Sequence, residues 1–181
     1  MAAFGGLILT NKGRALQAKV QTGTTLNFTR IGVGDGSLGS QQISNLTDLI
    51  SEKMSLDINK LKVQSGGKAI VGGVLSNQDV VTGFYFREIG YFATDPNDGE
   101  ILYCYANSGS GAEYIPAGGG PDIVEKQIDT IILTANAATV TADIASGIYA
   151  SKEDFDALVK IHYHGTDPLD IGTNDLLFEE I

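Results

Sequence analysis

The residues best suited to coordination chemistry are His162 and His164, the only histidines of the chain, separated by Tyr163. In an extended segment, residues two apart face the same way. Copies arranged around a threefold axis would then gather their imidazoles into one cluster, a donor set that suits a transition metal. The simpler reading is two exposed histidines at a helix end, where positive charge also suits the dipole. The expectation is that the chain holds no metal and no cofactor, with His162 and His164 as the candidates to watch. Gly32-Val33-Gly34-Asp35-Gly36 could cradle a phosphate, but the third glycine and the helix that a dinucleotide site needs are missing. A turn in which glycine supplies positive φ is the expected role. Ser65-Gly66-Gly67-Lys68-Ala69 lacks the upstream glycine and following hydroxyl of a phosphate loop, so Lys68 is expected in a turn between strands. Asp95-Pro96-Asn97-Asp98-Gly99 resembles the start of a calcium loop, but its Gly falls one place early and the closing Glu is absent. No serine sits in a nucleophile-elbow context, and the carboxylates form no clear acid/base pair. No catalytic residue is expected.

The element around which these residues must be arranged is Gly83-Phe84-Tyr85-Phe86-Arg87-Glu88-Ile89-Gly90-Tyr91-Phe92. Its aromatic density reads as a strand. The Asp95–Gly99 turn returns the chain into a second strand over Ile101–Ala106, making a central hairpin. Rings on both faces of the first strand predict that both faces are covered. Arg87 and Glu88 are adjacent and so point oppositely, and each needs its own partner if buried.

Elsewhere, Thr10-Asn11 offers a cap for a helix over Arg14–Gln21, stopped by Gly23. Leu26–Val33 alternates as a strand. Ile43, Leu46, Leu49 and Ile50 fall at helical spacing and predict a short helix or helical turn. Ser55–Val63 reads as one strand with an irregularity at Asn59-Lys60. Ala69–Leu75 reads as another, with Gly72-Gly73 marking a bulge or a close backbone approach. The stretch 108–121 is either a surface loop or a contact loop that orders against a partner, anchored at Tyr114-Ile115. Val124–Thr134 and Ala137–Ile144 are expected to pair with each other around Asn136. After Ser146-Gly147 the character changes. Ser151 and Asp154 nearly form a capping box, Phe155, Leu158, Val159 and His162 make a helical stripe, and the acidic end carries Leu176-Leu177-Phe178, a candidate docking segment. Two domains follow: 1–146, and a helical and extended appendage over 147–181.

With 181 residues, the chain can bury a real core. A net charge of −10 argues against nucleic acid or an anionic membrane surface as partner. No apolar run approaches the roughly 20 residues of a membrane span. The N-terminus lacks the pattern of a secretion signal, so folding in the cytoplasm is expected. The single cysteine, Cys104, lies in a strand run and is expected to be buried and inert. The fold class is therefore α+β: mainly antiparallel sheet with two or three short packed helices, plus the C-terminal appendage.

The central run, with an aromatic pair, then Arg87-Glu88-Ile89-Gly90, then Tyr91-Phe92, resembles the N-terminal domain of the tail-collar fibre proteins of contractile-tail phages. Leu9-Thr10-Asn11-Lys12-Gly13, Ile31-Gly32-Val33-Gly34-Asp35 and Glu52-Lys53 fall in the family's order, and the resemblance spans roughly Phe4 to Ile144. It implies a structural protein without catalysis: a homotrimeric fibre base that docks on a baseplate protein of a phage tail or phage-derived bacteriocin, assembled in the bacterial cytoplasm. Phe84, Tyr85, Phe86, Arg87, Glu88 and Tyr91 are the candidate core and partner-binding residues. The chain stops at Ile181 with no long shaft or tip. It is expected to be either a short adapter, with the tail joining a separate receptor-binding protein, or a shortened fibre. The rival reading is a carbohydrate-binding module that stacks sugars on Tyr85, Tyr91, Tyr103, Tyr105 and Tyr114. Buried rings would argue against it.

Overall fold

The computed structural model describes residues 4–134, 137 and 139–144. The chain opens with a short strand β1 (Ile8–Leu9) and one α-helix, α1 (Asn11–Gln21). Thr10 caps the helix, its Oγ1 accepting from Gly13 N at 2.9 Å. Leu16 and Val20, four apart on one helical face, are buried. Gly13 lies against the Tyr103 backbone with no room for a Cβ, which lets the helix seat closely. Gly23 leaves the helix at φ 111°, a conformation open to glycine.

Ten further strands follow: β2 (Leu26–Gly34), β3 (Glu52–Leu56), β4 (Lys60–Gln64), β5 (Lys68–Ser76), β6 (Phe84–Phe86), β7 (Glu88–Asp95), β8 (Gly99–Asn107), β9 (Glu113–Ile115), β10 (Glu125–Leu133) and β11 (Val140–Ala142). The main sheet runs β1-β8-β7-β2-β11. One edge of β2 takes β7 antiparallel. Its other edge is shared, with β11 parallel over Leu26–Phe28 and β3 antiparallel over Ile31–Gly34. A second sheet runs β10-β5-β4, and among the described residues β6 pairs with β9 in a two-stranded sheet of its own. The principal core contains Phe28, Ile31, Val71, Tyr91, Tyr103 and Ile132, all essentially inaccessible to water. Phe28 meets Tyr103 edge to face at 5.5 Å between centroids.

The β7–β8 hairpin forms as expected. Asp95 pairs with Gly99 (φ 75°), and Asp95 Oδ1 accepts from the amides of Asn97 and Asp98 inside the turn. Along β7 nearly every side chain is buried on both faces. Lys68 begins β5 after a turn in which Gly66 and Gly67 both have positive φ.

Several expectations are corrected. The aromatic run is two strands: it breaks at Arg87, and β6 leaves the main sheet to pair with β9. The stretch read as one strand over Ser55–Val63 is β3 and β4, which belong to different sheets. Ile58, fully buried, sits where the chain crosses between them. The apolar spacing at Ile43–Ile50 yields only a 3-10 turn over Ile43–Asn45, so the described residues contain one α-helix rather than two or three. There Leu49 packs against Phe92, Leu102 and Tyr105 from irregular backbone. β10 and β11 do not pair with each other; β10 adds to β5 and β11 to β2. Gly72-Gly73 marks close approach, since the pairing with β10 runs through it unbroken. Gly72 leaves the space in which Lys60 of β4 reaches Asp129 of β10 at 2.7 Å across β5. Gly73, on the opposite face, lies against Ile31. The appendage expected over 147–181, with its helix, lies outside the described residues.

Candidate functional site

The glycine–aspartate turn and the Arg-Glu pair prove to be parts of one arrangement. Glu88, the first residue of β7, is completely buried. Its Oε1 accepts from Gly36 N at 2.9 Å and Ser51 N at 2.7 Å, and its Oε2 accepts from Ile50 N and Tyr105 Oη, both at 2.9 Å. A buried carboxylate without a cationic partner is tolerable when hydrogen bonds satisfy its lone pairs. Asn107 extends the network, donating to Tyr105 Oη at 2.8 Å and to Gly36 O at 3.0 Å. Burial pushes the Tyr105 hydroxyl pKa well up, and the Glu88 charge adds to it. Gly32, Gly34 and Gly36 are not at positive φ, which corrects the turn argument. They are glycine because the site is crowded: a Cβ on Gly34 would stand 2.6 Å from Glu88 Oε1, and one on Gly36 2.5 Å. Backbone amides here do converge on negative charge, but that charge is the protein's own. The arrangement is a staple holding four segments together, with no vacancy for a phosphate.

Arg87 turns the other way. Its amide donates to Gly34 O at 2.9 Å, Nη1 to Asp35 O at 2.6 Å and Nε to Gly109 O at 3.3 Å. Ser108 closes the corner by donating its amide to Arg87 O at 2.8 Å. Arg87 thus ties the start of the 108–121 stretch to the sheet, and its guanidinium lies 5.8 Å from the Tyr85 ring centroid. Of the candidate residues, Phe84, Phe86, Glu88 and Tyr91 are buried, Arg87 is half-buried, and Tyr85 is 51% exposed. Tyr85 is paired across β6 and β9 with Tyr114, itself 53% exposed, their rings 5.2 Å apart and tilted by 59°. This aromatic pair was not legible as a pair: it depends on β6 leaving the main sheet to meet β9.

Tyr91, Tyr103 and Tyr105 are buried, so the set of five stacking tyrosines is not assembled on the surface. Leu176, Leu177, Phe178, His162 and His164 lie outside the described residues. Among the described residues no group of three or more His, Cys, Asp or Glu could hold a metal ion. The most suggestive pair of carboxylates is Glu52 and Glu100. Burial raises the Glu52 pKa. At Glu100 burial also pushes upward, but hydrogen bonds from Thr29 and Arg30 outweigh it and lower the pKa. Both carboxylates clasp the same guanidinium, Arg30, at 2.7 and 2.8 Å, and Arg30 stacks on Phe92 at 3.6 Å. That is an ion network rather than an acid/base couple.

A groove of about 420 Å³ runs beside β10, lined by residues 126–130 on one side and by Phe4, Phe86, Ile89 and Glu113 on the other. With the buried staple, the exposed tyrosine pair and this groove, the domain offers contact surfaces around a rigid scaffold. The family model of the phage tail-collar fibre protein N-terminal region matches residues 1–153. The chain belongs to that family. Tail-collar fibre proteins are structural, so this chain is a component of a phage tail that associates with other tail proteins. No curated protein and no solved structure matches it. In this tail-collar domain the Arg-Glu-Ile-Gly run builds the interior, with Glu88, Ile89 and Gly90 buried and Arg87 half-buried, while Tyr85 just before it reaches outward. Among the described residues no helix is long and apolar enough to cross a membrane.

Proposed function

We propose that this chain is the base of a homotrimeric tail fibre that attaches to the baseplate of a contractile tail or tail-like bacteriocin and links to a receptor-binding part. The observation that carries the reading is the family match over residues 1–153, most of the chain. The buried staple at Glu88 supports it, because it devotes a buried carboxylate and its four hydrogen-bond donors to holding segments together instead of to a pocket. In this reading the domain 1–146 docks on the baseplate through exposed side chains such as Tyr85 and Tyr114. Residues 147–181, with Leu176, Leu177 and Phe178, trimerise or recruit the receptor-binding protein. The particle assembles in the bacterial cytoplasm.

The test is light scattering on the purified full chain, followed by pull-down against the baseplate proteins of the particle that carries it. A trimer that retains a baseplate protein is the expected outcome. A monomer that binds none of them overturns the reading. The carbohydrate-binding alternative keeps only Tyr85 and Tyr114, whose tilted rings make no flat platform, and a glycan array with the same chain decides it.

A further inference from the structure

Asn77, buried just past the end of β5, holds the stretch 116–124 at both of its ends. Its Nδ2 donates to Asp122 O at 2.8 Å and to Pro116 O at 3.3 Å, and its Oδ1 accepts from Val124 N at 2.9 Å. Its own amide donates to Val124 O at 3.0 Å. Val80 N donates back to Asn77 O at 3.0 Å, closing a turn, and Val80 O accepts from Gly118 N at 2.7 Å. Gly118 passes so near the carbonyls of Asn77 and Gln78 that a Cβ there would stand 2.4 and 2.3 Å from their oxygens. Residues 77–82 and 116–124 are therefore one bonded unit. A stretch containing Gly118-Gly119-Gly120 has much backbone freedom to lose. The Asn77 latch removes that freedom within the chain itself, so a partner meets a surface already in shape.

The unit displays apolar side chains that the core does not take. Val81 is 92% and Ile123 84% exposed, the two highest values among the large hydrophobic side chains of the described residues. Each adjoins a latched residue: Val81 follows Val80, and Ile123 stands between Asp122 and Val124. The unit also runs into the tyrosine pair, since Tyr114 Oη lies 2.2 Å from where a Cβ on Gly83 would be. Exposed acids accompany the apolar pair: Asp79 inside the turn, Asp122 beside Ile123, and Glu125 opposite Ser76 in the β10–β5 register. Among the described residues none of these three forms an ion pair. Neither 76–82 nor 116–125 contains a lysine or arginine, and Lys126, next along, pairs with Glu113. Apolar side chains at the centre with charge at the rim are the composition of a protein contact. Charge then selects the partner. A second copy presenting the same unit would set acid against acid, and so would the acidic end of this chain or a nucleic acid. The complement is a face with apolar hollows ringed by lysine or arginine.

We propose that the latched unit of residues 77–82 and 116–124 is a preformed docking surface for a basic face of another tail protein, with Val81 and Ile123 entering apolar hollows and Asp79 and Asp122 meeting the cations around them. This rests on the tail-base reading and names the chemistry of one of its partners.

The experiment is hydroxyl-radical footprinting of the isolated full chain and of tail particles purified from the producing cells. Val81 and Ile123 are expected to oxidise about tenfold more slowly in the particles, a burial like that of an interface centre. In the isolated chain the amides of Gly118 and Val124 are expected to resist hydrogen exchange already, as bonds of a preformed unit do. In parallel, Val81→Ser/Ile123→Ser and Asp79→Lys/Asp122→Lys are expected to melt near the wild type, because all four side chains are exposed. Both double variants are expected to enter particles about tenfold less often. If the chain sits in particles with Val81 and Ile123 oxidising as fast as in isolation, the docking surface is overturned and the tail-base reading stands. Normal entry of the serine variant overturns it too, and normal entry of the lysine variant overturns the basic partner. Gly118 and Val124 amides that exchange freely in the isolated chain overturn the preformed surface. Protection that grows with concentration in the isolated chain assigns the unit to a second copy and equally overturns the proposal. A chain absent from particles overturns the tail-base reading and this surface with it. Footprinting uses the unmodified chain, so it decides the matter even if a variant disturbs folding.

Discussion

Glu88 Oε2 accepts a hydrogen bond from Tyr105 Oη at 2.9 Å, joining the first residue of β7 to β8 inside a fully buried site. The same carboxylate collects three backbone amides from the turn at Gly36 and the approach to β3. Removing it leaves those buried donors unpaired. Glu88→Leu is expected to cost about 3–5 kcal/mol. Tyr105→Phe, which removes one donor and leaves Asn107 its bond to Gly36 O, is expected to cost about 1–2 kcal/mol. Urea unfolding followed by circular dichroism measures both. Equal losses would show that the tyrosine, and not the amide cluster, carries the staple.

The crowding around that carboxylate predicts a second, steric result. Gly36→Ala places a Cβ 2.5 Å from both Glu88 Oε1 and Ile50 Cβ, at a position whose φ is ordinary. Overpacking of this kind costs about 1–3 kcal/mol. Gly23→Ala meets no atom within 4 Å but sits at φ 111°, and it is expected to cost about 1 kcal/mol from backbone strain alone. Thermal melts of the two variants separate the causes. If Gly36→Ala is as mild as Gly23→Ala, the site is more yielding than its geometry indicates.

Asp95 gives the fold a pH dependence whose sign can be fixed. The Lys19 ammonium, 2.7 Å away, lowers its pKa; burial works against this, and the turn amides of Asn97 and Asp98 reinforce it. A carboxylate more acidic folded than unfolded contributes stability that is complete above its unfolded pKa, near 4. That contribution is lost as pH falls through the lower folded value. Asp95→Asn should therefore be destabilised at pH 7, and the gap from wild type should narrow as pH drops below about 4. Urea midpoints across pH 2.5–7, about the titration range of a carboxylate, test this; a constant gap would sink it.

Cys104 is the chain's one thiol, and burial pushes its pKa far above the ordinary thiol value. Reactivity belongs to the thiolate, so the native protein is expected to resist a disulfide reagent at pH 8 and to react fully in denaturant. Rapid labelling without denaturant would mean that β8 opens locally far more often than a core strand should.

The chain's local grammar made much of this legible. Thr10, Gly23 and the Asp95–Gly99 turn act through neighbours a few residues away, and helix α1 and the β7–β8 hairpin lie where those signals put them. What stayed hidden is decided at long range. Nothing local says that Arg87 ends one strand and begins another; that follows from its bonds to Gly34 and Asp35, which hold the kink. Likewise β10 and β11 look like a hairpin because they are adjacent, yet each finds its partner far back in the chain, at β5 and β2. The leucines at 46 and 49 have helical spacing, but a nearby hydrophobic cluster of Phe92, Leu102 and Tyr105 takes Leu49 without any helix forming. The surface pair Tyr85–Tyr114 shares this origin, being a product of the β6–β9 pairing.

That pair supplies the last prediction. Exposed tyrosines beside an arginine have the composition of an interface centre, where a few aromatic anchors hold most of the binding energy. Tyr85 and Tyr114 each keep about half their surface open to solvent and rest on one another instead of on the core. Truncating them therefore removes little that the isolated fold needs: Tyr85→Ala and Tyr114→Ala should each shift stability by about 1 kcal/mol or less. If the baseplate contact runs through this pair, either change should weaken binding to the captured baseplate protein by tenfold or more, corresponding to about 1.4 kcal/mol. Phe86→Ala, one residue along and buried, should instead unfold the domain's edge, costing about 3–5 kcal/mol. Surface plasmon resonance on variants first checked by thermal melt distinguishes the two behaviours. Full binding by the double variant Tyr85→Ala/Tyr114→Ala would move the baseplate contact away from β6 and β9.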